Sequence, residues 1–345
     1  MYCLYPYEQG PIRPPSEAHS LLIRVTRNCP WNQCAFCPVY KDHKFQRRSV
    51  EEVKGDIVRA AQFFGPNINL IRSAFLQDAD TVIIKAQELV EIISFVKAKF
   101  PFLERITSYG RGKTLAKKEV ADLKQLKEAG LSRIHMGLET GYDPLLAYMR
   151  KGATAHEMIT AGKRVVESGI SLSLYVILGL GGKKWWPEHA RETARVINQI
   201  NPHFIRVRTL RIPEGTPLQQ KAQTGEFIPL TDQEVALEER LLIESLTDIN
   251  SYFASDHILN LLEEIEGQLP GAKPWMLNVI DRFLQLPEEE KLNFIMGRRG
   301  GAYRSLDDLD NELLHQRIAG AIDRLRQEGP DRIEEALQLL MERML

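Results

Sequence analysis

Cysteine and long apolar runs are scarce in this sequence. Its 345 residues include four cysteines, and none occurs after position 37, whereas a secreted domain stabilised by disulfides has more cysteines spread along its length. No stretch approaches the ~20 consecutive apolar residues that span a bilayer. The N-terminal segment MYCLYPYEQGPIRPP lacks the basic and then apolar order of a signal peptide. These absences predict a cytoplasmic protein that does not associate with membranes.

Charge of one sign is not in excess either. Lysine and arginine number 45 against 46 aspartates and glutamates, so the formal net charge is −1. This balance argues against a protein held to nucleic acid by bulk electrostatics, although it stays compatible with a local basic groove. With 43% apolar and 26% charged residues, the composition is that of an ordinary globular protein. The length accommodates one large α/β domain with an appendage, or two medium domains.

Short β-type runs alternate with helical patterns through the first part of the chain. Strands are predicted at residues 21–26, 68–76, 106–109, 133–138, 171–178 and 204–207, and helices at residues 50–63, 81–99, 116–128, 155–168 and 187–200. Helical crossovers between successive strands predict a parallel sheet, either open and doubly wound or curled into a partial barrel. In both arrangements the chemistry belongs at the carboxyl ends of the strands.

Three regions follow from these patterns. Residues 1–19 are predicted to be an irregular N-terminal arm, residues 20–220 an α/β core, and residues 221–345 a mainly helical domain. Within the last region, residues 255–260 are predicted to be helical, which would place Asp256 and Asn260 on one face. The glycine- and arginine-rich residues 297–301 are predicted to be a basic turn or an anion-binding loop.

Three of the four cysteines form a cluster directly after the first predicted strand. Cys29, Cys34 and Cys37 have the spacing C-x4-C-x2-C. Three thiolates leave one position of a metal centre open, whereas a structural zinc site and a closed electron-transfer cluster need four ligands. His43 or Cys3 would complete a zinc site, which is the alternative interpretation. An iron–sulfur cluster with one iron left open for an exogenous ligand fits the three cysteines better.

This loop, with the aromatic Phe36 directly before its last cysteine, resembles that of the radical S-adenosylmethionine (SAM) enzymes. In that superfamily three cysteines hold a [4Fe–4S] cluster, and SAM chelates the fourth iron. The usual spacing is C-x3-C-x2-C, so this sequence has one extra residue between Cys29 and Cys34. The resemblance implies that the three cysteines are cluster ligands and that Phe36 shelters the adenine of SAM. It also implies an α/β fold, a partial (β/α)6 TIM-like barrel whose mainly helical C-terminal domain closes the substrate side.

A second segment, residues 75–80, occupies the place of the family's Gly-Gly-Glu-like turn. That turn binds the amino group of SAM in the family. The glycines are missing here, because the segment reads FLQDAD. Gln77, Asp78 and Asp80 are therefore the candidate SAM contacts, and an exposed turn that caps the next helix is the alternative.

Two further segments resemble the family in the same order along the chain. The run RIHMGLETG, followed by MRKG, resembles the fourth strand of the oxygen-independent coproporphyrinogen oxidase and methylthiotransferase groups. By that resemblance Glu139 lies by the ribose or methionine part of SAM and Lys151 near its carboxylate, whereas the alternative is a surface ion pair. The later run VILGLGG resembles the fifth-strand motif, whose turn, here at Gly179, packs against the adenine.

The resemblance implies an oxygen-sensitive enzyme that reductively cleaves SAM and directs a 5′-deoxyadenosyl radical at an unidentified substrate. Arg206 and Arg208 alternate onto one face of the last predicted strand and favour an anionic small molecule. Because no cysteine follows Cys37, a second cluster with cysteine ligands is excluded, which argues against a methylthiotransferase. The alternatives are a tRNA-modifying enzyme of the same family and a non-catalytic zinc or iron–sulfur protein.

A basic segment next to the cysteine loop suggests which molecules the protein binds. Residues 41–48, KDHKFQRR, carry four permanent positive charges. Such a segment would dock an acidic flavodoxin or ferredoxin as electron donor, hold SAM, or contact a substrate phosphate, whereas a solvated basic loop is the alternative.

Overall fold

The computed structural model describes residues 12–41 and 43–343. Most of the predicted arm, including Cys3, therefore lies outside the described residues, as does Asp42. The described end of the arm contains a short 3-10 turn, Pro15–Glu17, and the Glu17 side chain is fully buried.

Of the ten strands in the described residues, eight form one open, curled sheet and two form a separate ribbon. In chain order the strands are β1 Leu21–Arg24, β2 Thr26–Arg27, β3 Gln46–Arg47, β4 Ser73–Gln77, β5 Arg105–Tyr109, β6 Leu131–Glu139, β7 Ser171–Leu178, β8 Phe204–Thr209, β9 Tyr252–Ala254 and β10 Glu266–Gln268. The sheet order is β1-β4-β5-β6-β7-β8-β9-β10, and β2 with β3 forms a separate ribbon. Neighbours from β1 to β9 are parallel, and β10 is antiparallel to β9. In the described part of the chain β1 and β10 do not pair, so the barrel stays open.

Helices connect the parallel strands. They are α1 Val50–Phe64, α2 Ala86–Lys99, α3 Gly112–Leu115, α4 Val120–Ala129, α5 Asp143–Tyr148, α6 Ala155–Glu167, α7 Gly182–Ile200, α8 Pro217–Gln223, α9 Asp232–Glu244, α10 Lys273–Gln285, α11 Glu288–Arg299, α12 Glu312–Glu328 and α13 Arg332–Arg343. Local chemistry defines several starts. At α6, the Thr154 hydroxyl accepts from the Glu157 amide while the Glu157 carboxylate accepts from the Thr154 amide, which satisfies two otherwise unpaired donors.

The two faces of each strand have different roles. On β6, Ile134 and Met136 are fully buried in the main apolar core, close to α3 and α6. Each such side chain contributes ~1.5–3 kcal/mol through burial. His135, between them, points the other way and contacts the rings of Phe75, Tyr109 and Tyr175 inside the barrel. The alternation of β6 thus separates the packing face from the face that lines the barrel.

The predicted α/β class and the partial barrel are confirmed, with shifted boundaries. The second strand begins at Ser73 because the preceding residues form a 3-10 turn, Gly65–Leu70. The fifth predicted helix begins earlier, at Gly182, and includes Pro187. No helix in the described ranges is long and apolar enough to cross a membrane.

The region after residue 220 is not helical throughout. Strands β9 and β10 extend the sheet of the core, and residues 255–260 form a loop, so the predicted helical face there is wrong. The physical reason is the Asn260 side chain, which accepts from the Thr209 amide and donates to the Val207 carbonyl. These bonds hold the loop on the carboxyl end of β8.

The arginines at the end of α11 donate hydrogen bonds to this same loop. Arg298 donates to the Ile258 carbonyl and to Glu263, and Arg299 donates to the Leu259 carbonyl. Both arginine side chains are buried. Residues 297–299, predicted to be part of a basic turn or an anion-binding loop, are instead the last turn of α11, and both arginines bond to other protein groups.

Candidate functional site

The three clustered cysteines lie where the parallel strands end. Their loop follows β2, and Cys29, Cys34 and Cys37 are free and half-buried thiols. The amide of Asn32 donates to the Cys29 sulfur at 3.4 Å, and the Cys37 amide donates to the Cys34 carbonyl at 3.4 Å. One short loop thus presents all three thiols at the carboxyl edge of the sheet.

Backbone hydrogen bonds anchor the middle of the loop. The buried Ala35 donates its amide to the Met149 carbonyl at 2.8 Å, and its carbonyl accepts from the Leu218 amide at 3.0 Å. The Lys41 ammonium donates to the Cys34 carbonyl at 2.8 Å. Ala35 also packs in a small apolar cluster against which Phe36 lies half-buried. The loop is therefore held from α5, α8 and its own downstream segment.

The longer spacer of this loop has a structural use. Trp31, inside the spacer, donates its indole N–H to the Arg150 carbonyl at 2.7 Å. Its ring lies against Gly152, where an added Cβ would come within 2.4 Å of the ring and the φ is +72°. Gly152 therefore leaves room for Trp31, which joins the cysteine loop to the segment that carries Lys151.

Asp78 ties both ends of the cysteine segment to β1 and β4. Its buried carboxylate accepts from the Arg24 guanidinium at 2.9 and 3.1 Å, from the Asn28 amide at 2.8 Å and from the Tyr40 hydroxyl at 3.0 Å. Asn28 directly precedes Cys29, and Tyr40 follows Cys37 by three positions. No local sequence pattern indicates this role, because the partners are distant along the chain.

The neighbours of Asp78 lie at the same strand end. Gln77 is buried, and its carbonyl accepts from the Val25 amide. The Asp80 carboxylate accepts from the Arg111 amide at 3.1 Å and from the Thr114 hydroxyl at 2.6 Å. Burial raises the pKa of Asp80 to about 6. The carboxylates of Asp78 and Asp80 thus both accept hydrogen bonds from donors of the protein itself.

Glu139 and Lys151 form an ion pair beside the thiols. Their charged atoms are 2.7 Å apart, and both side chains are largely buried. Glu139 ends β6 with a φ of +63°, an uncommon conformation for a side-chain-bearing residue that is concentrated at functional sites. Burial raises the pKa of the Cys34 thiol, and the positive charge of Lys151 opposes that rise. The ion pair thus lies close enough to the thiols to act on their charge.

A buried polar network joins the ends of β6 and β7. The Glu238 carboxylate accepts from the Gly179 amide, and the Nδ1 of His189 lies 2.8 Å from the Thr140 hydroxyl. The Nε2 of His189 is 3.0 Å from the Ile177 carbonyl and 4.0 Å from Glu238 Oε1. Burial lowers the pKa of His189 to about 4. Sequence inspection missed Glu238 because it lies on α9, far from every motif.

Glu238 is expected to make stability depend on pH. Burial raises its pKa from 4.5 to about 8, so the folded state keeps it protonated where the unfolded state ionises it. The free energy of unfolding should therefore fall as pH rises between those values, by up to ~1.4 kcal/mol per pH unit for this group. Glu238→Gln should flatten that decline in urea unfolding measured at several pH values. The control, Glu128→Gln on the exposed face of α4, should keep the wild-type slope, and identical slopes in all three proteins would contradict the assignment.

The basic segment after the cysteine loop is mostly engaged within the protein. Arg47 pairs with Glu88 at 2.9 Å, and the buried Arg48 pairs with Asp56 at 2.7 Å. Lys41 bonds loop carbonyls as described above. These contacts do not test whether an electron donor docks on this segment, and that docking stays a prediction.

The zinc alternative requires His43 or Cys3 to join the thiols, and Cys3 lies outside the described residues. The His43 residue is exposed. In the described ranges, no three side chains of His, Cys, Asp or Glu are arranged to hold a single metal ion. Three thiols in one loop beside a buried ion pair are a donor set that fits a cluster with an open iron.

Comparison with known proteins places this arrangement in a family. Residues 23–197, about half of the chain, match the model of the "Radical SAM superfamily". The chain is 30% identical over 175 residues to "4'-phospho-dehydrooxetanocin synthase" of Priestia megaterium. This match covers 46% of this chain and 23% of that protein. It is 25% identical over 254 residues to "tRNA-2-methylthio-N(6)-dimethylallyladenosine synthase" of Cellvibrio japonicus, which covers 67% of this chain and 53% of that protein. The chain thus spans from about a quarter to about half of the length of these relatives.

One solved structure with a similar course of the chain is the cobalamin-dependent SAM radical enzyme OxsB with aqua-cobalamin and SAM bound. It has 14% identity and a TM-score of 0.49, and the match covers 95% of this chain and 59% of that one. The family match rests on the segment that contains the three thiols and the Glu139–Lys151 pair. The chain therefore belongs to the radical SAM superfamily, whose cofactors are a [4Fe–4S] cluster and SAM.

Proposed function

We propose that this chain cleaves SAM reductively at a [4Fe–4S] cluster held by Cys29, Cys34 and Cys37. The observation that carries the proposal is the loop of three half-buried thiols next to the Glu139–Lys151 ion pair. When bound, the cluster supplies the electron that converts SAM into methionine and a 5′-deoxyadenosyl radical. The protein supplies orientation and the exclusion of water and oxygen.

The chain's own residues are proposed to position SAM. Lys151 would bind the SAM carboxylate and Glu139 its ribose or methionine part, because an ion pair at a strand end suits a zwitterionic ligand. Gly179, with a φ of +81°, would bring its turn against the adenine, and Phe36 would shelter that side.

The turn after β4 is proposed to act mainly through its shape. Gln77, Asp78 and Asp80 lie at the carboxyl end of β4, beside the cysteine loop that Asp78 holds. Since Asp78 and Asp80 already accept hydrogen bonds from the protein, we assign these two carboxylates a positioning role toward the SAM amino group. The segment thereby replaces the missing glycines with a fixed backbone.

The substrate is proposed to be a small molecule that enters the barrel, with flavodoxin or ferredoxin as electron donor. A second candidate is a tRNA-modifying reaction, which rests on the similarity to the 2-methylthio synthase over 254 residues. Salt-sensitive binding of tRNA would support that candidate. The buried ion pair of Arg48 with Asp56 and the near-zero net charge favour the small molecule.

The test is anaerobic SAM cleavage. Purified protein is reconstituted with iron and sulfide, mixed with dithionite and SAM, and assayed for 5′-deoxyadenosine and methionine. We expect both products in equal amounts. A protein that contains a stoichiometric cluster and yields neither product, or one that binds zinc and stays colourless, would be a binding protein and would refute the proposal.

A further inference from the structure

The interior of the barrel contains polar atoms that the proposed SAM site does not use. Side chains of β5, β6, β7 and β8 point there, since Tyr109 pairs with His135 in register and Tyr175 pairs with Arg206. We call this space the barrel chamber and define it by Tyr109, His135, Tyr175, Arg206 and Arg208. It lies between the carboxyl edge of the sheet and the buried Glu17, whose carboxylate is 3.4 Å from the His135 ring.

Several polar atoms in the chamber wall have no hydrogen-bond partner among the described residues. They include Thr107 Oγ1, His135 Nδ1 and Ser173 Oγ, and all three residues have 0% exposure. Buried polar groups in folded proteins are nearly always hydrogen-bonded. Because these three residues have no accessible surface, they belong to the closed, polar part of the barrel interior, whereas Arg208 is half-buried and open to a ligand.

The two chamber arginines differ in their partners. Arg206 forms an ion pair with Asp256, so its charge is compensated within the protein. Arg208 stacks on the Tyr175 ring, with its guanidinium 4.5 Å from the ring centre. In the described part of the chain no carboxylate forms an ion pair with Arg208. The nearby His257 is kept neutral, because burial and then the charge of Arg208 lower its pKa to about 4.

The position of Arg208 is also rigid and close to the proposed SAM turn. Arg208 pairs in register with Ile177, two residues before Gly179. The next residue, Thr209, is held through both its amide and its hydroxyl by the buried Asn260. A guanidinium fixed on a strand and stacked on an aromatic ring is preorganised for two parallel hydrogen bonds to anionic oxygens.

We propose that Arg208 is a specificity residue that binds an anionic group, a carboxylate or a phosphate, of the substrate inside the barrel chamber. This assignment rests on the proposed function for the identity of the ligand as a substrate. Arg208 supplies a charge that no described carboxylate pairs with, and the Tyr175 ring on which it stacks orients it. A neutral apolar substrate would cover the half-buried Arg208 guanidinium without supplying an ionic partner.

The test measures anion binding directly, by calorimetric titration of the reconstituted protein with inorganic phosphate and with malonate. We expect one of the two anions to bind and Arg208→Met to weaken that binding by about tenfold or more. Arg208→Lys should retain part of the affinity, because it keeps the charge and loses the bidentate geometry. The matched control is Arg195→Met on the exposed face of α7, where Arg195 pairs with Glu192, and it should bind as the wild type does.

Each outcome decides the proposal. Absence of binding by the wild type, or equal affinity in the wild type and Arg208→Met, would overturn it. If Arg208→Met does not fold by circular dichroism, the comparison between wild type and Arg208→Lys decides. Wild type that binds the anion through Arg208 but forms no 5′-deoxyadenosine would keep the anion site and refute the proposed function, whereas the reverse result would refute the anion site alone.

Discussion

Cys34→Ala is expected to abolish both cluster binding and SAM cleavage. Cys34 lies in the middle of the loop, and its removal leaves two of the three described free thiols, too few to hold the cluster. The variant should lose the visible absorbance of the reconstituted protein, its stoichiometric iron and sulfide, and all formation of 5′-deoxyadenosine. Iron and sulfide analysis with product quantification on anaerobic samples would measure these losses.

Cys3→Ala is the matched control, because it removes a thiol that lies outside the cysteine loop. It should keep the cluster and the wild-type yield of both products. Retention of SAM cleavage in Cys34→Ala would show that this thiol is not a ligand. Loss of the cluster in Cys3→Ala would instead assign Cys3 as a ligand and revive a site with four cysteines.

Asp78→Ala is expected to cause the largest loss of stability among single substitutions at the site. Removal of the carboxylate leaves the Arg24 guanidinium without this buried partner, and the Asn28 amide and the Tyr40 hydroxyl lose their acceptor. Breaking a buried ion pair in this way costs ~3–5 kcal/mol. The free energy of unfolding in urea, measured at neutral pH on the protein without cluster, should fall by about that amount. Because the same carboxylate holds both ends of the cysteine segment, cluster reconstitution should fail as well.

Two comparisons sharpen this prediction. Asp78→Asn keeps an acceptor oxygen and should lose less stability than Asp78→Ala. Asp307→Ala removes an exposed ion pair with Arg282, whose side chains are 72% and 49% exposed, and should change the free energy of unfolding by at most ~1 kcal/mol. If Asp78→Ala were as stable as Asp307→Ala and assembled a full cluster, the positioning role of Asp78 would be wrong.

The sequence by itself determined the architecture of the core and the identity of the family. Apolar runs of strand length separated by helical patterns predicted six parallel strands, and all six occur within a few residues of the expected positions. This succeeded because strand and helix periodicity are local properties of the chain. The cysteine spacing and the order of the motif-like segments led to the radical SAM superfamily, since that chemistry requires three thiols within one loop.

Contacts between distant segments were decided only by the tertiary structure. Strands β9 and β10 are three residues each, too short to show a period, and they form because β8 offers a free edge. The alternation of the strand predicts equivalent roles for Arg206 and Arg208. In the structure, the loop held by Asn260 brings Asp256 into an ion pair with Arg206 and not with Arg208. Likewise, Asp78 reads as a turn residue until the fold brings Arg24, Asn28 and Tyr40 around it. Local sequence patterns predict the helices and strands. The charged and hydrogen-bonding partners of each site residue depend on which elements pack together. Local patterns do not reveal those contacts, because the partners are far apart along the chain.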